Sequence, residues 1–153
     1  LSVDSFEGPL EKYQDNLSKI LEETRSLNSD AGIYVLGVYN PFYINFPEIE
    51  DMQTIIQNWD EGTKEIVEKD ENAYFVPINE VISQGTGDEA ALNTNKKSSS
   101  SEEDDDLNTV KNKALYEEDN FHPNTTGYQL ITREVMKNID TTKDIWLKEE
   151  NAS

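Results

Sequence analysis

The chain has 153 residues, enough for one domain of ordinary size or for part of one. Its 32 acidic and 13 basic residues give a formal charge of -19, a field that repels phosphate backbones and argues against nucleic acid as a partner. There is no cysteine, hence no disulfide or thiolate metal site, and no stretch approaches the roughly 18 apolar residues that span a bilayer.

From Pro9 to Leu27 the residues Leu10, Tyr13, Leu17, Ile20, Leu21 and Leu27 mostly recur at three- and four-residue spacing, which predicts an amphipathic helix. The turn "NSDAG" leads into "IYVLGV", an unbroken apolar run that reads as a strand buried on both faces of a parallel sheet. A second helical stripe follows, from Ile49 through Met52, Ile55, Ile56, Trp59 and Thr63 to Ile66 and Val67. The second apolar run, "AYFVPI", ends at Pro77, because an interior strand cannot spare the amide that proline removes. Helix, strand, helix, strand is the pattern of an α/β domain.

Between about residues 86 and 112 the composition turns to Gly, Asn, Lys and Ser, followed by five adjacent acidic residues. With almost nothing apolar to offset their repulsion, this segment is expected to be a flexible acidic insertion. Calcium binding there lacks the alternating ligands and turn glycine of a calcium hand. A third stripe, Tyr128, Leu130, Ile131, Val135, Met136 and Ile139, predicts a helix that ends near Asn138 and is capped by Asn124 or Thr125. Ile145, Trp146 and Leu147 are expected to pack back as a further helical turn, and 149–153 form a tail.

The stretch "EEDNFHPNTTGY" holds the chain's one histidine, His122, three residues after Asp119. In a tight turn entering a helix, a carboxylate at that spacing can accept the imidazole Nδ1 proton and leave Nε2 open. That is the orienting half of a hydrolase triad, whose nucleophile must come from elsewhere. The alternative is a pair of ordinary polar residues on a helix-entry turn. A zinc site is disfavoured by one histidine and no cysteine, and neither metal nor cofactor is expected.

"DNFHPNTTGY" at 119–128 resembles the C-terminal block of the SGNH or GDSL hydrolases, with its Asp-x-x-His motif, Pro-Asn and Gly-Tyr. "IYVLGVYNPF" at 33–42, after a helix containing "YQDNLSKIL", resembles the central strand and following loop of a bacterial, lipase- or acylhydrolase-like branch of that family. The similarity runs in order from about Tyr13 to Trp146. It implies that residues 1–148 are the C-terminal part of a three-layer α/β/α sandwich with a parallel, flavodoxin-like sheet. It also implies that Asp119 and His122 are the triad acid and base, and that the site lies at the carboxyl ends of the strands. There Asn40, Phe42 and Tyr43 either line a substrate pocket or form a capping turn with aromatic core residues. The substrate implied is an ester of a lipid, a sugar or another acylated small molecule, and the branch implies an extracytoplasmic location.

The family's Gly-Asp-Ser block, its oxyanion-hole glycine and its Gly-x-Asn-Asp block have no counterpart here; the nearest imitation is Gly87-Asp88-Glu89. The expectation is therefore a C-terminal portion that needs the N-terminal half of the same domain and is inactive alone. If upstream strands are absent, a sheet edge is left open to association. The competing expectation is a noncatalytic acidic binding or structural module of degenerate hydrolase fold.

Overall fold

The computed structural model describes residues 2–85 and 112–147. After a 3-10 turn at Val3–Phe6 come α1 (Glu7–Leu27), β1 (Ile33–Leu36), α2 (Glu50–Val67), β2 (Ala73–Val76), α3 (Asn79–Ser83) and α4 (Thr125–Trp146). The chain is therefore α/β, with helices around a sheet that has two strands among the described residues. No helix among the described residues is long and apolar enough to cross a membrane.

β1 and β2 pair in parallel, Ile33 opposite Ala73 and Leu36 opposite Val76, with α2 as the crossover that a parallel pair requires. Because side chains alternate along a strand, Ile33, Val35, Ala73 and Phe75 share one face. They pack with Leu17 and Leu21 of α1 and with Ile66 and Val67 of α2. Val67 and Val76 have no exposed surface, and burying such a side chain contributes about 1.5–3 kcal/mol. The alternate residue Tyr34 stacks on Tyr74 at 5.2 Å and meets α4, where its hydroxyl is 2.6 Å from Thr142 Oγ1 and accepts from Trp146 Nε1 at 2.9 Å. The Trp146 ring lies so close to Gly32 that any side chain there would collide with it.

Four expectations change. β1 is not buried on both faces: Leu36 is 44% exposed, because β2 is its one neighbour and the other edge of the sheet is open among the described residues. The third stripe does not stop near Asn138. α4 runs unbroken to Trp146, its Thr141 and Thr142 hydroxyls bonding to the carbonyls of Lys137 and Asn138 on the preceding turn. The short helix α3 was not expected at all. Asn112, placed in the insertion, is instead buried: its Nδ2 donates to Ile82 O at 2.8 Å, and its Oδ1 accepts from Ala114 N at 2.9 Å. The rest of the expected insertion and the tail lie outside the described residues.

A second core of Ile82, Ala114, Leu115 and Leu130, with Tyr39, Val81 and Ile131 against it, sits at the carboxyl ends of the strands. It is the platform for the segment that carries Asp119 and His122.

Candidate active site

The turn from Tyr116 to Asn124 is closed by backbone bonds: Tyr116 N donates to His122 O at 2.8 Å, and Asn120 N donates to Tyr116 O at 2.8 Å. Asn120 takes the left-handed conformation, φ 50°, which asparagine tolerates better than most residues. Asn124 then starts α4. Its Oδ1 caps Gly127 N at 3.0 Å, while its Nδ2 donates to the carbonyls of Lys113 and Leu115. Gly127 is needed at that contact, because a Cβ there would strike the Ala114 carbonyl oxygen. One residue thus joins the helix start to the strand-like bridge Leu115–Pro123.

Within this frame Asp119 does two jobs. Its Oδ1 accepts from the backbone N of Phe121 at 2.9 Å and of His122 at 3.1 Å, which fixes the carboxylate to the turn. Its Oδ2 faces His122 Nδ1 at 2.8 Å. The bond to the imidazole, aided by the two backbone donors, holds the Asp119 carboxyl below its usual range. With Nδ1 engaged, Nε2 is the basic nitrogen of the neutral ring, and the His122 side chain is 71% exposed. Among the described residues no serine hydroxyl is hydrogen-bonded to it, and no group of metal-ligating side chains is found.

The loop after β1 abuts this turn. Tyr39 OH donates to Phe121 O at 2.7 Å, and the Phe121 ring stands 6.4 Å from Phe42 and 5.2 Å from the His122 ring. Burial pushes the Tyr39 hydroxyl's pKa up, consistent with its role as a donor. The loop itself is pinned by α2 and α3. Val38 N donates to Asp60 Oδ1 at 2.8 Å, and Asn40 N donates to Asn79 Oδ1 and Ser83 Oγ, both at 3.0 Å.

Of the three residues expected beside the pair, Asn40 is buried and its side chain is spent on the loop, accepting from Phe42 N and donating to Gln53 Oε1. Phe42 and Tyr43 are exposed, 40% and 37%, rather than core residues. The structure thus brings Asp119, His122 and Phe42 together through Phe121, with Tyr43 next in the chain. Tyr39 and Phe121 were missed by sequence reading; the signal available was an aromatic residue just inside each of two motifs, with nothing to say that they meet.

A family model described as GDSL-like lipase/acylhydrolase matches residues 5–130. The chain is also 30% identical over 139 residues to YpmR, an uncharacterised protein of Bacillus subtilis (strain 168). That match covers 91% of this chain and 45% of YpmR, so the chain spans less than half the length of that relative. The matched region includes both strands, the loop after β1 and the Asp119–His122 turn, and on that extent the chain belongs to the GDSL-like lipase/acylhydrolase family.

Proposed function

We propose that Asp119 and His122 are the acid and base of a serine acylhydrolase, with the serine and the oxyanion-hole donors supplied by residues outside this stretch. The observation that carries this reading is the 2.8 Å contact of Asp119 Oδ2 with His122 Nδ1, beside an exposed imidazole at the carboxyl ends of parallel strands. Phe42 and Tyr43 form the nearby wall for substrate, and Asn40 supports their loop. The two strands belong to a larger parallel sheet in a three-layer sandwich, extracytoplasmic as in the branch it resembles.

The chemistry follows from the pair. His122 Nε2 removes the serine proton as Oγ attacks the ester carbonyl, and Asp119 holds the resulting imidazolium. Collapse of the tetrahedral adduct breaks the bond to the alcohol, which leaves with the proton His122 returns. Water, deprotonated by the same nitrogen, then attacks the acyl-serine, and serine recovers its proton as the acid departs. Each step needs an oxyanion hole, since losing a single donor costs about 10²- to 10³-fold in turnover.

The stretch in hand is therefore expected to be inactive alone, while the full-length natural protein hydrolyses nitrophenyl acetate or butyrate. Turnover by the isolated 153-residue chain that His122→Ala abolishes overturns the division of labour. A full-length protein whose esterase activity survives His122→Ala overturns the assignment itself, and one with no esterase activity favours the noncatalytic acidic module, to which the charge of -19 lends support.

A further inference from the structure

A cavity of about 410 Å³ opens between the loop after β1, the first turns of α2, α3 and α4. Its volume suits a small ligand. α2 follows β1 and α3 follows β2, so the cavity lies at the same carboxyl ends as the Asp119–His122 turn. Tyr43, in its wall, adjoins Phe42, which in turn faces Phe121 beside His122.

Its lining is unusual in kind. Gln53, Gln57 and Gln84 supply primary amides, each able to donate and accept at once, and Tyr43 supplies a ring and a hydroxyl. Gln53 gives its oxygen to Asn40 Nδ2 and keeps two donors. No lysine, arginine or histidine lines the space, whereas two carboxylates, Glu80 and Glu134, do. Glu134 is already paired with Lys137 at 2.7 Å, so the wall offers an anion no lining cation and one unshared like charge, the exposed Glu80, which disfavours a phosphate or carboxylate. It suits a neutral group dense in hydroxyls, whose paired donor and acceptor character matches amides and carboxylates.

Resting on the acylhydrolase reading above, we infer that this cavity is the alcohol-side subsite and that it takes an uncharged, hydroxyl-rich alcohol, a glycosyl unit in size and chemistry. The ester bond lies towards His122, and the sugar departs from the cavity carrying the proton that His122 returns.

The test uses the full-length natural protein and two acetate esters, methyl 6-O-acetyl-glucoside and ethyl acetate. Each amide-to-hydroxyl bond is worth about two- to tenfold, so kcat/KM should favour the glycoside by about tenfold or more. Gln57 and Gln84 are both exposed, so Gln57→Leu with Gln84→Leu leaves the core intact, and the preference should fall to within about threefold of parity. Gln57→Glu serves as a second variant of nearly the same shape, and it should also weaken the preference. No preference in the natural protein, or one that survives all these changes, overturns the subsite while leaving the acylhydrolase reading standing. If nitrophenyl acetate and butyrate are not turned over either, that reading fails and the subsite with it. If they are turned over but neither of these two esters is, calorimetric titration with methyl glucoside decides the subsite: binding lost in the double variant supports it, and no binding overturns it.

Discussion

Two carboxylates three residues or fewer from a turn illustrate how similar local geometry serves different ends. Asp70 accepts from Asn72 N and from both Arg25 Nε and Nη2 at 2.8 Å, much as Asp119 accepts from Phe121 N, His122 N and His122 Nδ1. Both carboxyls are held below their usual range, Asp70 chiefly by the guanidinium and Asp119 chiefly by the imidazole. The difference lies in what the partner has left over. Arg25 spends its Nη1 on the carbonyls of Asn28, Ser29 and Ala31, tying the end of α1 to the approaches of both strands. His122 keeps a basic nitrogen facing outward. The first pair is closed and holds the fold at the amino ends of the strands; the second is open at the carboxyl ends and has chemistry to offer.

The sharpest way to break that contrast is to remove each partner and compare stability with activity. His122→Ala in the full-length protein should cost about 10⁴-fold or more in kcat/KM. Because the side chain is 71% exposed, the unfolding free energy should move by less than about 0.5 kcal/mol. Esterase assay and chemical denaturation of the same variant read both. Asp119→Asn should cost about 10²- to 10⁴-fold, because an amide donor facing Nδ1 favours the tautomer in which Nε2 carries the proton. With one histidine in the stretch, two-bond nitrogen–proton NMR correlations report that tautomer directly. An unchanged tautomer in Asp119→Asn argues against the orienting role.

These two residues were legible because their relationship is local: three positions on one turn, inside a recognisable block. The partners that place the turn were not. Tyr39 meets Phe121 across 82 positions, and Trp146 meets Tyr34 across 112, so no periodicity could announce either contact. The same long-range contact explains the misplaced end of α4. "DTTKD" interrupts the apolar stripe, yet the helix continues through it because Thr142 and Trp146 have Tyr34 to pack against. β1 was misjudged for the opposite reason. Its apolar run describes what the strand could bury, whereas actual burial depends on the neighbours present, and β2 is the one neighbour found among the described residues.

At the closed pair the expected balance reverses. Arg25→Ala strips Asp70 of its fork and takes the donor from the part-buried Ala31 carbonyl, and should lower the unfolding free energy by about 1–2 kcal/mol. Arg25→Lys restores the charge without the fork and should recover only part of that loss. Equilibrium denaturation measures both. A loss under about 0.5 kcal/mol would reduce the cluster to an ordinary surface ion pair.

A third carboxylate gives the smallest and most discriminating effect, because its pH dependence has the opposite sign. Asp70's folded pKa is lowered, so its contribution is present above the unfolded value, about 3.9, and is lost as pH falls through the folded value. Asp60, half-buried in α2, is raised chiefly by burial, its bond from Val38 N only partly opposing this. Its contribution is therefore fully present below about 3.9 and is lost as pH rises through its folded value. Asp60→Asn keeps an oxygen for Val38 N and removes the charge. It should flatten stability between pH 4 and neutrality and slightly raise it at pH 7, while Asp70→Asn should instead flatten the acid limb and lower stability at pH 7. Denaturation curves for the two variants across that range separate the cases. If Asp60→Asn destabilises at neutral pH, the carboxylate's charge is contributing to the loop after β1, and burial is not what governs Asp60.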